Sequence, residues 1–392
     1  MSSTTTTERE VAFGPTGSPA ERFTSRDPEA FDVPRGREEQ WRFTPVRKIT
    51  ELFQAFEPDD TFRLETDLPD GVSLEIVGRD HPLFGTVLTP ADRVAAVAMA
   101  EIAHVVLVTI AKDAVLDRPV LLRSVGRPGR NYGHFVIDAG PFSSAAVVMD
   151  HVGEVTVAAN VEVRVGDGAA LKLVSLQDWA EGTVHLAAHA ASLGRDARYQ
   201  HTSVNLGGGI VRLTPTVEFA APGGTAELLG VSFAGAGQHF ESRLYIDHSV
   251  PECTSNVLYK NALLGDTART VWIGDVRIRP GATGTNTYEM NRNLLLTDGA
   301  RADSVPNLEI ETGDIAGAGH ASATGRFDDL QLFYLQSRGI APDEAQRLVV
   351  RGFFADVVNR IGLPELQQRI MTAIEARLGF AAAEPELESR DA

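Results

Sequence analysis

From about Arg130 to about Asp314 the chain is a succession of short runs in which apolar and polar residues alternate. Ala145-Ala146-Val147-Val148-Met149, Val161-Glu162-Val163-Arg164-Val165, Leu171-Lys172-Leu173-Val174, Ile210-Val211-Arg212-Leu213 and Val271-Trp272-Ile273 are examples. Period-two alternation rich in β-branched residues, broken by Gly, Asp and Asn clusters, reads as strands. No amphipathic helix of useful length lies between them. A β-α-β parallel sheet is therefore excluded.

A small motif punctuates this tract: a Gly followed three residues later by Ala or Gly. It occurs at Gly166–Ala169, Gly194–Ala197, Gly223–Ala226, Gly265–Ala268, Gly281–Gly284 and Gly299–Ala302. Its spacing, roughly 16 to 29 residues with one gap near twice that, is the scale on which coils stack. The Gly suits a turn with positive φ, and the small residue after it fits a narrow interior at a corner. The pattern predicts a β-helix, or solenoid, in which each coil buries its apolar face on the next. A two-sheet antiparallel sandwich is the alternative that short strands between turns also allow.

With 392 residues the chain is long enough for two or three structural units with a real core. A formal net charge of −17 argues against nonspecific nucleic-acid binding and against anionic membrane surfaces, both of which repel an acidic protein. The one cysteine, Cys253, excludes an intrachain disulfide and suits a reducing cytosol, so a cytoplasmic location is expected. No apolar run is long enough for a transmembrane helix, and the start has neither the basic nor the apolar region of a secretory signal.

Taken in order, residues 1–25 are rich in Ser, Thr, Gly and Pro and are expected to be disordered. Residues 26–118 form an N-terminal helical and mixed region. In it Trp41 anchors a terminal segment on the body, 60–90 is loop-rich, and Pro90 to Ile102 is a helix with Pro near its first turn. Val105 to Ile110 is β-branched enough to enter the sheet. The β-helix core is assigned to 119–314 and a C-terminal helical region to 315–380. That region contains a helix from Phe327 closed by Gly339, a second opened by Pro342 and closed by Gly362, and a third opened by Pro364. Residues 381–392 are an acidic tail.

Enzyme signatures are missing from the sequence. There is no phosphate-binding Gly-x-x-x-x-Gly-Lys run, no His-Glu-x-x-His and no Gly-x-Ser-x-Gly. Gly207-Gly208-Gly209 lacks a following lysine and reads as a turn. His185 and His189, and His239 and His248, sit in strand-like surroundings and read as core or surface histidines without ligand roles. Cys253 reads as a small buried hydrophobe, because a reactive thiol needs an electropositive, partly exposed setting. His320 is the only large side chain in Ala316-Gly317-Ala318-Gly319-His320-Ala321-Ser322-Ala323-Thr324-Gly325. Spacing alone makes it an unligated histidine on a loop, at the seam between strands and helices. Its steric freedom would also allow it to ligate iron or another metal, or to relay a proton.

The run Gly319-His320-Ala321-Ser322-Ala323-Thr324-Gly325-Arg326-Phe327-Asp328-Asp329, continuing through Leu332-Phe333-Tyr334-Leu335-Gln336-Ser337-Arg338-Gly339-Ile340, resembles the signature of the SufB/SufD family. These are scaffold subunits of the SUF iron–sulfur cluster assembly machine. Cys253-Thr254-Ser255 with Tyr259-Lys260, Pro306 to Ile310, and Glu39-Gln40-Trp41-Arg42-Phe43-Thr44 support the resemblance, which extends from about residue 34 to 378. Asn291 to Leu295 holds no Cys and Ala321 follows His320, so the chain looks SufD-like rather than SufB-like.

The resemblance implies a right-handed parallel β-helix flanked by N-terminal and C-terminal helical regions. It implies a non-enzymatic scaffold in a SufBCD-type complex, forming a heterodimer with SufB through the β-helix. A transient iron–sulfur cluster would be shared with SufB at His320, with Cys253 as either a structural or a sulfur-handling thiol. The C-terminal helices would bind SufC, an ABC-type ATPase, with Phe353, Phe354 and Arg351 as contacts. No nucleotide, nucleic acid or membrane is expected to bind this chain itself, and a homodimer is an option when SufB is absent. A purely structural subunit with His320 unused, and a β-helix carbohydrate-active enzyme, are the rival readings.

Overall fold

The computed structural model describes residues 22–59, 61–326 and 329–379, without the side chains of 329–332. Most of the tail expected to be disordered, the acidic tail, and Phe327 and Asp328 lie outside those residues. Ser25 lies inside them and is pinned, its N–H donating to the Pro90 carbonyl at 2.9 Å.

Strands dominate. They are β1 (Phe62–Asp67), β2 (Val72–Val77), β3 (Val105–Ile110), β4 (Val120–Gly126), β5 (Arg130–Ala139), β6 (Ser144–Gly153), β7 (Thr156–Val165), β8 (Ala170–Trp179) and β9 (Val184–Leu193). The succession continues with β10 (Arg198–Asn205), β11 (Ile210–Phe219), β12 (Thr225–Ala234), β13 (His239–His248), β14 (Thr254–Leu263), β15 (Arg269–Ile278), β16 (Thr285–Leu295), β17 (Arg301–Ile310) and β18 (Ile315–Arg326). Helix α1 (Arg93–Glu101) precedes β3, and α2 (Asp329–Ser337), α3 (Pro342–Ile361) and α4 (Pro364–Arg377) follow β18.

The strands form two nine-stranded sheets. One runs β1-β4-β6-β8-β10-β12-β14-β16-β18 and the other β17-β15-β13-β11-β9-β7-β5-β3-β2. Each strand from β3 onward pairs in parallel with the strand two places on, so Arg198 lies over Ala170 and under Thr225. That is a solenoid of about eight turns, and the antiparallel sandwich is excluded. Among the described residues only β1 and β2 pair antiparallel, each on the first parallel strand of its sheet.

The corners explain most copies of the glycine motif. Its small residues Ala169, Ala197, Ala226 and Ala268 are buried at or beside the turn from one strand to the next, whereas Ala302 on the last coil is only partly buried. The turn lies so close to the one below that a Cβ on Gly194 would come within 2.9 Å of the Asp167 nitrogen. The positive φ does not always fall on the first residue: Asp196 carries it in the Gly194 copy and Gly168 in the Gly166 copy.

Both outer faces are covered. Val94, Val97 and Ala98 of α1, with Trp41, Leu52 and Phe53, pack on Leu107, Tyr132, Val136, Ala158, Leu186 and Ile210 of the odd-numbered sheet. Asp92 caps α1 at the Ala95 N–H, and its other carboxylate oxygen pairs with Arg212 at 2.8 Å. Arg212 lies 4.1 Å over the Trp41 ring. Val350, Phe354, Val357, Val358, Ile361, Ile370 and Ile374 of α3 and α4 cover Val148, Val174, Val204, Leu229, Val231 and Leu258 of the even-numbered sheet. Arg369 fastens this layer with two 2.9 Å bonds to Asp150, and Lys172 meets the last carbonyls of α3, donating to Ile361 O at 3.0 Å. The helix boundaries follow their punctuation: Gly339 and Gly362 have left-handed φ, and Pro342 and Pro364 open their helices.

Three expectations need correction. Residues 60–90 contain two strands; Phe62-Arg63-Leu64-Glu65-Thr66 and Val72-Ser73-Leu74-Glu75-Ile76 do alternate, around a Pro69-Asp70-Gly71 turn. The solenoid begins at β3, before residue 119. It also runs past 314, because β18 extends the even-numbered sheet, so the C-terminal helical region starts beyond Arg326 and His320 is on a strand, not a loop. The Ala/Gly run conceals that strand because the last rung has no further coil to bury apolar side chains against.

The interior between the sheets holds two apolar clusters together with a set of buried polar side chains. His151, His185, His189, His201 and His248 are buried there, with His189 Nδ1 3.0 Å from His201 Nε2 and His248 Nε2 2.9 Å from Ser255 Oγ. Burial pushes His151 and His189 down to about 3 and His248 to about 4 from the usual 6.5, and His185 and His201 move in the same direction. A base whose folded pKa is depressed contributes its full stability above 6.5 and loses it as pH falls toward the folded value. Each histidine then costs up to about 1.4 kcal/mol per pH unit below 6.5. We therefore predict a melting temperature that drops steeply between pH 7 and pH 5 in a thermal-shift series. A flat profile would show that these imidazoles are protonated in the native state.

Candidate functional site

Among the described residues stacking satisfies every strand but the four at the sheet edges, β1 and β2 at one end of the stack and β17 and β18 at the other, and each of these leaves one row of backbone N–H and C=O groups without a strand neighbour. β17 is blunted by Pro306, which has no N–H to offer. β18 carries neither Pro nor an acid or Lys between Ala316 and Thr324.

His320 is on β18 and exposed, in register with Glu289 of β16. Residues in register on parallel neighbours share a face, and the face of Thr287, Glu289, Asn291 and Asn293 is the buried one. His320 therefore belongs to the interior-facing row, at the end where the interior opens. Around it lie small polar groups. Ser322 Oγ donates to Ser304 Oγ of β17 at 2.7 Å, and Asn293 Nδ2 donates to Thr324 Oγ1 at 3.0 Å and Asn291 Oδ1 at 2.8 Å. The row continues inward as Asn261 Nδ2 donates to Asn293 Oδ1 at 2.8 Å.

Glu289 is the residue that motif reading misses. It is fully buried, and among the described residues neither carboxylate oxygen has a hydrogen-bond partner. Burial first, and then the like charge of Asp275, push its carboxyl up to about 8. Its signal in the sequence is parity: it occupies an inward position of a strand whose other inward residues are Thr and Asn.

The other candidates are not gathered here. Cys253 is buried at the corner before β14, two rungs below β18, with Sγ 3.5 Å from the Pro251 carbonyl and 3.8 Å from that of Ala221. Burial pushes its thiol up. Phe353, Phe354 and Arg351 are on α3, over the outer face of the even-numbered sheet. Phe354 is fully buried in that layer, so it is a core residue and not a contact a partner could reach. Phe353 is half-buried, with the Lys260 ammonium 5.0 Å from its ring. Arg351 is exposed and pairs with Glu375 at 2.9 Å. Phe333 and Tyr334 of α2 are more exposed than any of these, at 68% and 57%. Among the described residues no three His, Cys, Asp or Glu converge as a ready metal site.

Comparison with known proteins bears on this geometry. A family model described as the SufBD core domain of SUF-system FeS cluster assembly matches residues 123–353. An iron-sulfur cluster assembly SufBD family protein of Mycobacterium tuberculosis is 51% identical over 368 residues, covering 91% of this chain and 92% of the relative. One from Mycobacterium leprae is 50% identical over 366 residues, covering 91% and 93%. The iron-sulfur cluster assembly protein SufD of Bacillus subtilis is 28% identical over 253 residues, 63% of this chain and 57% of the relative.

Burial raises the Cys253 thiol, and a reactive thiol needs an exposed, electropositive setting, so we predict slow reaction in the native state. An aromatic disulfide reagent at pH 8 should modify it no faster than the protein unfolds, and rapidly in denaturant. Prompt stoichiometric reaction of the folded protein would instead mark it as a working thiol.

Proposed function

Since the chain belongs to the SufB/SufD family of SUF iron–sulfur cluster assembly proteins, we propose that it is the SufD-type scaffold subunit, pairing with a SufB-type partner through the open end of the solenoid. In this reading the nascent cluster is cargo held between the two subunits, and His320 is this chain's contribution to it. The observation that carries the reading is His320 itself, exposed in the interior-facing row of β18, which among the described residues has no further strand beside it.

Three further features support it. The β18 edge is long, neutral and free of Pro, the kind of edge that pairs with another chain. In the absence of the partner a second copy could take the same place. Clusters are held mainly by thiolates, and the lone Cys253 is shut away from this end, so the partner supplies them. The chain acts by positioning and not by catalysis. It has no phosphate-binding loop, so nucleotide hydrolysis belongs to a SufC-type ATPase docked on the C-terminal helices. Phe353, Arg351 and the exposed Phe333 and Tyr334 offer that surface. Among the described residues no helix is long and apolar enough to cross a membrane, and the machine is proposed to work in the cytosol.

His320→Ala should leave the melting temperature unchanged, because the ring is exposed, yet abolish cluster formation on a complex reconstituted anaerobically with SufB- and SufC-type partners. Unchanged iron and sulfide content would reduce the chain to a purely structural subunit. Phe353→Asp should lose the co-purifying ATPase, and retention would remove the docking assignment. Phe354→Ala should instead destabilise the chain by about 3–5 kcal/mol in urea unfolding, as a buried aromatic does.

A further inference from the structure

A cavity of about 470 Å³ lies on the outer face of the odd-numbered sheet. Ala190 of β9, Thr216 and Glu218 of β11, and Tyr245 and Asp247 of β13 line it in register on neighbouring strands. Residues 86–89 and the segment carrying Arg22 and Thr24 complete the lining. Both of these pieces are held in place. The backbone N–H groups of Gly85, Val87 and Leu88 donate to the Glu162 carboxylate at 2.7, 2.8 and 3.0 Å. The Ser25 N–H donates to the Pro90 carbonyl at 2.9 Å, and the Arg26 guanidinium donates to the Gly85 carbonyl. The cavity is thus preformed, as sites for small molecules usually are.

Three arginines and two acids face it. Two of the arginines are already neutralised: Arg277 pairs with Glu311 at 2.6 Å and Arg279 with Asp247 at 2.7 Å. Arg22 and Glu218 are left. Arg22 Nη1 donates to Thr216 Oγ1 at 3.3 Å, and its guanidinium lies 4.7 Å from the centre of the Tyr245 ring, but among the described residues no carboxylate pairs with it. Glu218 makes neither an ion pair nor a hydrogen bond among the described residues. Burial pulls the Arg22 guanidinium down. Partial burial and then the like charge of Asp247 push the Glu218 carboxyl up. Each of the two charges is therefore held at a cost that an opposite charge would offset. They do not meet one another, yet they face one space. Thr216, which Arg22 touches, and Glu218 are two residues apart on one face of β11, about 6.7 Å along the strand. A purely anionic ligand would be repelled by Glu218 and Asp247, and a purely cationic one by the three guanidinium groups.

We propose that this cavity binds a free α-amino acid as its zwitterion, with the carboxylate on Arg22 and the Thr216 hydroxyl and the ammonium on Glu218. One small molecule then supplies both missing charges. A ligand in that position would also bridge the N-terminal segment and the sheet beneath it. The site is separate from His320 and does not depend on the assembly reading.

The test uses the full-length protein with glycine, L-alanine, L-methionine and L-glutamate as probes, followed by thermal shift and calorimetry. At least one should raise the melting temperature in a concentration-dependent way, since a ligand of the native state stabilises it. Acetate and ethylammonium chloride at the same concentrations should not, because each carries only one of the two charges. Glu218→Gln and Arg22→Gln should keep the ligand-free melting temperature of wild type and each weaken binding of the responding amino acid at least about tenfold, the scale of a lost hydrogen bond to a charged group. No response to any of the four amino acids overturns the proposal. So does equal binding of acetate or ethylammonium, which would make the cavity a site for a single charge. Wild-type affinity in both variants would place the bound amino acid elsewhere on the molecule and overturn it too.

Discussion

Hydrogen bonding between successive coils is the constraint from which the rest of this structure follows. In a parallel stack a strand satisfies its backbone groups only through the strands one coil below and one coil above. Interior rungs therefore need nothing from outside, and the two ends carry the whole problem. The ends are solved differently. At the first, β1 and β2 run antiparallel against the parallel stack; they are short, with Arg63, Glu65, Asp67 and Glu75 along them, which discourages further pairing. At the last, β18 has no such charges between Ala316 and Thr324. The molecule is thus polar in the architectural sense, with one finished end and one open end.

The same geometry dictates what covers the outer faces. A two-sheet solenoid hides one face of each strand inside, so an outward apolar row needs a second layer. Sequence neighbours of the first and last rungs supply it: the N-terminal segment with α1 on one sheet, α3 and α4 on the other. Each layer is fixed by charge as well as by packing. Arg212 reaches Asp92, and Arg369 reaches Asp150, across the layer boundary. Both acids are buried, so truncating either arginine would leave a buried charge unpaired, the costly way to break such a pair. The helical layer is therefore tied to the wall it covers, and a displacement of α3 and α4 would reach the even-numbered sheet, of which β18 is an edge.

How much of this is legible in the sequence depends on how local the cause is. Helix ends are set by Gly339, Pro342, Gly362 and Pro364, residues whose backbone preferences act within a turn, and all four mark the boundaries found. Coil corners are nearly as local, since Ala197 or Ala226 must be small whatever surrounds it. The solenoid is legible for that reason. β18 is hidden because its strand character comes from β16 and not from its own Ala and Gly residues. The dense alternation of β1 and β2 is masked by the acids that keep their edges from pairing. Site residues divide in the same way. His320 stands out locally as one large ring among small neighbours. Glu289 is silent, because its isolation is made by Gly274 and Asp275 on another strand.

The inward row that ends in His320 shows how the interior changes along the stack. In register from the first rung outward it reads Val120, Val147, Leu173, His201, Leu228, Val257, Glu289, His320. Apolar residues hold the early coils together by burial, where there is no second chain to help. A neighbouring inward row is polar along the whole stack, reading Ser124, His151, Gln177, Asn205, Ser232, Asn261, Asn293, Thr324, and Asn261, Asn293 and Thr324 pass hydrogen bonds from rung to rung. The polar row therefore belongs to the whole stack, and what sets the outer rungs apart is the change from Val257 to Glu289 and His320 in the row beside it.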